Sequence, residues 1–325
     1  MRTMWLAAMA MAALATAGGC SHEEALKHAG LGFVLCDQNQ QDAALKEFED
    51  AVRLDDHLAV AYARMGDIYR DQGRAEQAIV PYRRAISLLP NEFDFRYNLG
   101  AIYQTLDRNK EAVETYQGAA DLRPRNVPTR VNMGVCYFQL EDYDHALTQC
   151  QRAVELDPHH ALAWSNLGAV YDVTGKPYDA IRAYNKSLEL DPKQAAVYLN
   201  LGTLYLKQGR IEAALEALAN AQRLDPDNAL LHKRLAFAYN KLHRYPVAIE
   251  ELQRALELAP ADAEAMNSLA AIHMILYLKD KNQDQLRAKA LELWHTSLEA
   301  NPKQPQIAEM IVKWNKPVVT AGEVR

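Results

Sequence analysis

Histidines near the N-terminus and in the middle of the chain could in principle bind a metal. His22 is followed by two glutamates, and His28 comes six residues later. A zinc hydrolase helix needs two histidines four residues apart, because that spacing puts both on one face. The adjacent pair His159 and His160 has no cysteine or carboxylate set at ligand spacing. These residues therefore predict no metal site.

The other local patterns that resemble active sites also fail on their context. Gly30-Leu31-Gly32-Phe33 resembles the carboxylate-binding loop of PDZ domains, yet Gly32 belongs to a regular glycine series described below. The sequence contains no phosphate-binding P-loop, no G-x-G-x-x-G opening a βα unit and no G-x-S-x-G elbow. We predict no catalytic residues, no cofactor and a protein that is not an enzyme.

Composition favours a folded, all-helical protein. The 325 residues are 49% hydrophobic and 24% charged, with a formal net charge of -6. Ala, Leu, Glu, Lys and Arg dominate, and runs of β-branched and aromatic residues typical of strands are missing. No long basic run marks a nucleic-acid interface. We expect a helical protein that does not bind nucleic acid.

Four interleaved residue series share a 34-residue period, which is the mark of a repeat architecture. They are Ala44, Ala78, Ala112, Ala146, Ala180, Ala214 and Ala248; Gly32, Gly66, Gly100, Gly134, Gly168 and Gly202; Tyr69, Tyr103, Tyr137, Tyr171, Tyr205 and Tyr239; and Pro90, Pro124, Pro158, Pro192, Pro226 and Pro260.

These units resemble tetratricopeptide (TPR) repeats. Trp164-Ser165-Asn166-Leu167-Gly168 opens one helix, and Asp191-Pro192 ends the next. The resemblance implies an all-α, right-handed superhelical solenoid of about eight helix–turn–helix repeats. We place the repeats at 25–58, 59–92, 93–126, 127–160, 161–194, 195–228, 229–262 and 263–304, followed by a capping helix at 305–316 and a tail at 317–325.

Three local expectations follow from this assignment. Glycine at the eighth position of a repeat should let the second helix approach through the small alanine at the twentieth. Pro81 lies inside a second helix, where it should kink the helix. The last repeat has eight extra residues within 277–286, so either its first helix is longer or a polar loop projects there.

The first nineteen residues predict a secretory signal peptide. Arg2 precedes an apolar stretch from Met4 to Ala17, followed by small residues. Ala17-Gly18-Gly19-Cys20 resembles the lipobox of bacterial lipoproteins, which implies lipidation at Cys20 and a tether at 20–24. The resemblance, with Ser21 after the cysteine, implies an exported protein held in the cell envelope, at the outer membrane and facing the periplasm. The alternative is a protein that is simply secreted.

Asparagine occupies the sixth position of four consecutive repeats. The residues are Asn98, Asn132, Asn166 and Asn200. A primary amide can pair with a peptide backbone through its donor and acceptor. The row resembles the asparagine ladder in the repeats of O-linked N-acetylglucosamine transferase, which implies backbone recognition of an extended peptide. The alternative is that these amides make local contacts only.

Other side chains predicted on the same surface are Phe138 at its centre and Lys233, Arg234 and Phe237 towards its C-terminal end. An apolar centre with a basic end would suit an extended segment with acidic groups. We therefore predict a scaffold or adaptor of the bacterial cell envelope with a protein or peptide partner. It would serve in pilus, secretion or cell-wall assembly. The alternative is a non-catalytic accessory subunit of an envelope enzyme complex, such as a glycosyltransferase or polysaccharide synthase.

Overall fold

A computed structural model describes residues 20–315, and this part of the chain is all-helical. The predicted signal peptide at 1–19 and the tail at 317–325 lie outside the described residues. The helices are α1 (Cys20–Asp37), α2 (Gln41–Leu54), α3 (Ala59–Asp71), α4 (Ala75–Leu88), α5 (Phe93–Thr105), α6 (Asn109–Leu122), α7 (Val127–Gln139), α8 (Tyr143–Leu156), α9 (Ala161–Val173), α10 (Pro177–Leu190), α11 (Ala195–Lys207), α12 (Ile211–Leu224), α13 (Ala229–Lys241), α14 (Tyr245–Leu258), α15 (Ala263–Lys279), α16 (Asp284–Ala300) and α17 (Pro305–Trp314).

The helices fall into two compact units that divide after Val170, within α9. In the N-terminal unit, α1 packs with α2, α3 with α4, α5 with α6 and α7 with α8 as antiparallel hairpins. In the C-terminal unit, α11 packs with α12, α13 with α14 and α15 with α16. The predicted class, an all-α TPR architecture, is confirmed.

The turn inside each repeat has a fixed backbone geometry. Its fifteenth residue adopts a positive φ in seven successive repeats: Asn39, Gly73, Asp107, Glu141, Gly175, Gly209 and His243. The next N–H bonds back to the carbonyl of the eleventh residue, as from Arg74 to Tyr69 over 2.8 Å. This six-to-one bond is the Schellman closure of a helix. It lets a short turn reverse the chain, even where the residue is not glycine.

The periodic glycine makes room for a side chain of the second helix. An ideal Cβ on Gly32 would lie 2.8 Å from the Phe48 ring, and one on Gly100 would lie 2.7 Å from the Tyr116 ring. Both ring residues occupy the twenty-fourth position. The expectation that the alanine at the twentieth position decides this approach was therefore incomplete. The glycine seats the ring at position twenty-four, and this ring fills the space between the two helices.

The periodic tyrosine at position eleven is covered by a cation from its own repeat. The Arg108 guanidinium lies 4.9 Å from the Tyr103 ring centre, and that of Arg210 lies 4.5 Å from the Tyr205 ring centre. Tyr103 is only 2% exposed. Such pairs contribute about 0.5–1 kcal/mol at exposed sites. These cation–ring contacts hold the turn against the two helices that it joins.

Two kinds of side-chain contact fix the start of several first helices. The side chains of Asn126, Asn228 and Asp262 accept from a backbone N–H three residues on, which is the usual N-cap bond. Gln194 instead donates backwards, from Nε2 to the Ser187 carbonyl over 3.1 Å. Gln304 repeats the arrangement on Ser297 over 3.0 Å.

The extra residues of the last repeat lengthen its helices. α15 and α16 each have 17 residues, where the first and second helices before them have 13 and 14. Only a short turn at 280–283 joins them. Of the two alternatives from the sequence, helix elongation is the one found. α4 continues through Pro81 as one helix.

α17 covers the apolar end of the C-terminal unit. Ile311 is buried, and Ile307, Met310 and Trp314 pack with it against a cluster that includes Trp294. At the other end, α1 begins at Cys20, so residues 20–24, predicted as a tether, lie in its first turns. None of the helices within residues 20–315 is long and apolar enough to cross a membrane.

Candidate functional site

The predicted binding residues, together with their neighbours Arg64, Asp67, Leu230 and Lys241, lie on the first helices of repeats two to seven. We call the set Arg64, Asp67, Asn98, Asn132, Phe138 and Asn166 the N-terminal face, and the set Asn200, Leu230, Lys233, Arg234, Phe237 and Lys241 the C-terminal face. Each set lies within one compact unit.

Asp67 is the polar centre of the N-terminal face. Its carboxylate accepts from Tyr82 OH over 2.5 Å and from Asn98 Nδ2 over 3.4 Å. Arg64 and Arg70 each pair with it over 3.2 Å. The amide of Asn98 also bonds the Tyr82 hydroxyl, which opposes the rise in the phenol pKa caused first by burial and then by Asp67. Asn98 is therefore held inside this network.

Asn132 is held in the same register, one repeat further along. Its Nδ2 lies 3.1 Å from Tyr116 OH and 3.3 Å from Tyr97 OH. Burial raises the pKa of Tyr116, and the bond from Asn132 opposes that rise. The phenol therefore stays protonated and neutral at ordinary pH. It receives the amide bond and fixes the amide orientation.

Asn166 has no such partner. Its Nδ2 is buried and makes no hydrogen bond to any described residue. The reason is the residue at position twenty-four of the preceding repeat, which is Tyr82 for Asn98 and Tyr116 for Asn132 but Cys150 for Asn166. Cys150 packs its sulfur near Gly134, where an ideal Cβ would lie 2.8 Å away. A thiol is short and a weak acceptor. The Nδ2 donor of Asn166 is therefore left without a partner among the described residues.

Phe138 lies further along α7 and is half-buried. Its ring centre is 5.5 Å from that of Tyr143, edge to face. The contact joins the two helices of its own repeat. It leaves part of the ring accessible on the N-terminal face.

On the C-terminal face, Asn200 repeats the arrangement of Asn132. Its amide bonds the hydroxyl of Tyr184, whose pKa is raised first by burial and then by Asp172, while the bond from Asn200 opposes the rise. Asn200 itself is exposed. Lys207, the last residue of α11, pairs with Asp172 over 3.0 Å.

Lys233 is engaged by two carboxylates. Its Nζ lies 2.8 Å from Asp262 and 2.7 Å from Glu264. Burial opposes the charge of the ammonium, but the two carboxylates together outweigh it and raise the pKa of Lys233. Asp262 also caps α15. Lys233 therefore ties α13 to α15, and the structure gives it a role in stability.

Arg234 and Phe237 are placed differently. Arg234 forms no ion pair with any described residue, and its buried Nε has no partner. Phe237 is 44% exposed and Leu230 is 41% exposed. The ammonium of Lys241 lies 5.2 Å from the Phe237 ring centre. These residues follow one helical stripe, since they are three or four residues apart.

Several groups that could do other chemistry are occupied by structural bonds. His22 lies 2.5 Å from Asp55, and His28 lies 2.6 Å from Glu47. The turn of Asp55, Asp56 and His57 brings three ligand-type atoms within 4.8 Å, and His57 pairs there with Asp56 over 2.7 Å. These contacts join α1 to α2 and close the turn.

The cysteines at 36, 136 and 150 are free thiols. Burial raises the pKa of Cys136 to about 11 and that of Cys150 to about 12. Both are therefore neutral thiols at physiological pH. Cys136 and Cys150 pack as small buried hydrophobes.

The sequence reasoning overlooked position twenty-four, although its signal was present. Phe48, Tyr82, Tyr116, Cys150, Tyr184, Leu218 and Leu252 recur at the same 34-residue interval. Next to the asparagine row, this series shows which amides have a phenol partner. It separates Asn166 from the other three asparagines at position six.

The family profile described as "Cilia and flagella-associated protein 70 C-terminal domain" matches residues 6–272. No curated protein sequence matches the chain. The structure is similar to that reported as "Functional Characterization of Pseudomonas Aeruginosa pilF", with 26% identity and a TM-score of 0.56. That likeness covers 63% of this chain and 93% of the other.

Two more distant structures share the fold. A tetratricopeptide repeat protein from Parabacteroides merdae has 18% identity and a TM-score of 0.58, over 78% of this chain and 99% of its own. The structure titled APC/C hetero-tetramer Cut9-Hcn1 has 17% identity and a TM-score of 0.60, over 88% of this chain and 55% of the other. The architecture and the profile match agree: the chain belongs to the TPR family described by the C-terminal domain of cilia and flagella-associated protein 70.

Proposed function

We propose that this TPR scaffold is an adaptor that holds an extended protein segment on its N-terminal face, by the backbone. The proposal rests on the Nδ2 donor of Asn166, which is buried and has no hydrogen-bond partner among the described residues. A buried donor without a partner costs about 1–3 kcal/mol relative to a bonded one. A backbone carbonyl of a bound segment would remove that cost.

The neighbouring residues suit the same ligand. The Nδ2 groups of Asn98 and Asn132 donate inside the protein, but a primary amide also has an acceptor oxygen that could receive a backbone N–H of the segment. The partly exposed ring of Phe138 offers an apolar contact between them and Asn166. An extended segment advances about 3.3 Å per residue, and packed helices lie about 8–10 Å apart. One amide per repeat would thus meet every third peptide unit.

We further propose that the protein works in the bacterial cell envelope, held by a lipid on Cys20 at the outer membrane and facing the periplasm. The support is the apolar leader and the lipobox-like Ala17-Gly18-Gly19-Cys20. A multiply acylated N-terminus anchors firmly, whereas one acyl chain binds only marginally. Assembly of pili, secretion machinery or cell wall is the setting that we propose for such an adaptor.

The binding proposal is tested by site-specific photo-crosslinking in cells from Val135, which lies on α7 between Asn132 and Phe138 in sequence. Wild type is compared with Asn166→Ala. We expect one or a few cross-linked proteins, and a several-fold loss of them in the variant. Asn185→Ala is the matched control, because Asn185 is exposed on a second helix. Equal cross-linking in Asn166→Ala and wild type would reject backbone binding by Asn166. If the cross-linked protein is instead one enzyme, bound in equal amount and changed in its turnover by this protein, the chain would be a non-catalytic accessory subunit of that enzyme.

The anchor is tested separately by intact mass and fractionation. Wild type should lose residues 1–19 and gain the mass of the lipid, and Cys20→Ser should leave the membrane fraction or stay unprocessed. Normal membrane retention of Cys20→Ser would refute the lipid anchor without affecting the binding proposal.

A further inference from the structure

One side of α1 combines two exposed apolar residues with the cysteine that is predicted to carry the lipid. Five residues, spaced by four, three, four and three positions, share this side of the helix. We call them the outer α1 stripe: Cys20, Glu24, Lys27, Leu31 and Val34. On the other side of α1, Ala25 and Ala29 are buried.

Leu31 and Val34 occupy positions seven and ten, which are buried in every later repeat. Leu31 is 48% exposed and Val34 is 49% exposed. Their counterparts are at most 8% exposed: Met65, Leu99, Met133, Leu167, Leu201, Leu235 and Leu269 at position seven, and Ile68, Ile102, Cys136, Val170, Leu204, Ala238 and Ile272 at position ten. Met65, for example, packs in one cluster with Phe48 of the repeat before. No repeat precedes α1 within residues 20–315, so α1 keeps an apolar repeat interface that nothing in this part of the chain covers.

Lys27 argues against a further helix as the cover. Its position, the third, holds a buried residue in every later repeat: Ala61, Phe95, Thr129, Ala163, Val197, Leu231 and Ala265. The Lys27 side chain is instead 71% exposed and pairs with Glu23 over 2.8 Å. A helix packed on the stripe would take this charge out of water, which is costly. At a bilayer surface the ammonium stays among the headgroups while its stem and the apolar side chains beside it enter the membrane.

We propose that the outer α1 stripe lies on the lipid bilayer, with Leu31 and Val34 among the acyl chains and Lys27 at the headgroups. This inference rests on the proposed lipid at Cys20, because that residue begins α1 on the same stripe and the helix continues without a break to Asp37. Leu31 lies about 16 Å along the helix from the anchor. Since the lipid already holds the helix at the surface, two apolar side chains suffice to orient it.

The test uses a photoreactive phenylalanine analogue in place of Leu31 or, as the control, in place of Val80. Val80 is 73% exposed on α4 and lies outside the outer α1 stripe. The full chain is purified from cells, reconstituted into vesicles of phosphatidylethanolamine and phosphatidylglycerol, irradiated and analysed by intact mass. We expect several-fold more phospholipid adduct at position 31 than at position 80. Val34→Glu should lower the adduct at position 31 several-fold and keep the wild-type melting temperature, because Val34 is exposed.

Equal phospholipid adducts at positions 31 and 80 would overturn the inference. So would adducts at position 31 with a second copy of the chain or with another protein, or an unchanged yield in Val34→Glu. The same mass spectra report the lipid on Cys20 separately. If Cys20 is acylated but position 31 gives no phospholipid adduct, the proposed anchor stands and this surface is rejected. If Cys20 carries no lipid and position 31 gives no adduct, both are rejected.

Discussion

The amide of Asn132 donates to the phenol of Tyr116 over 3.1 Å, and this bond joins the first helix of one repeat to the second helix of the repeat before it. The same register links Asn98 to Tyr82 and Asn200 to Tyr184. It is broken at Asn166, where the corresponding residue is Cys150. One residue type at one position thus decides whether the amide in the next repeat has a phenol partner.

Cys150→Tyr should therefore restore the bond that Asn166 lacks. Room for the ring is expected because Gly134 is present, as Gly100 is beneath Tyr116. A new neutral hydrogen bond contributes about 1 kcal/mol, so the melting temperature should rise while partner binding at Asn166 weakens several-fold. Thermal unfolding and the cross-linking yield measure the two effects. A less stable variant would show that the space at Cys150 differs from that at Tyr116.

Gly32 and Gly30 form a matched pair within α1. A Cβ on Gly32 would lie 2.8 Å from the Phe48 ring, whereas a Cβ on Gly30 would meet nothing within 4 Å. Gly32→Ala should destabilise by about 1–3 kcal/mol through overpacking. Gly30→Ala should stabilise by up to about 1 kcal/mol through helix propensity. Urea unfolding of both variants tests this, and equal effects would contradict the assigned contact.

His232 should be far more important to stability than His145, although each pairs with a carboxylate. His232 is 4% exposed, and its two nitrogens lie 2.5 Å from Glu251 and 2.8 Å from the Pro226 carbonyl. The side chain of His145 is 63% exposed beside Asp142. His232→Ala leaves the carboxylate of Glu251, whose side chain is only 16% exposed, without this partner and should cost about 3 kcal/mol. His145→Ala should cost less than about 1 kcal/mol. Calorimetry of both variants decides it.

Because the thiol of Cys150 is buried, we expect the free energy of unfolding to fall at alkaline pH. Burial raises its pKa from about 9 in the unfolded chain to about 12 in the folded one. Above the unfolded value the unfolded state binds fewer protons, so stability falls as pH rises through that window. Between about pH 9.5 and 10.5, wild type should lose up to about 1.4 kcal/mol more than Cys150→Ala. Urea titrations at both pH values measure the difference. An equal loss of stability in wild type and Cys150→Ala would contradict the prediction.

The repeat architecture was predictable because packing at each interface demands the same residue at the same interval, as with Ala44 and Ala78. The binding residues were less predictable, since type alone does not show what a side chain contacts. Lys233 has the charge of a ligand-binding residue, yet Asp262 and Glu264 occupy it. The link of Gln194 to Ser187 likewise depends on two residues seven apart whose pairing appears only when the helices pack.

α17 begins in the same way as α11 does, with Gln304 anchored on Ser297 as Gln194 is on Ser187. The end of the described chain is thus a first helix that lacks its second. This half repeat ends the C-terminal unit with the same Gln–Ser contact that joins α10 to α11. During evolution, duplicated repeats could then be inserted before α17. Each would extend the binding surface, and α17 would still cover the last repeat.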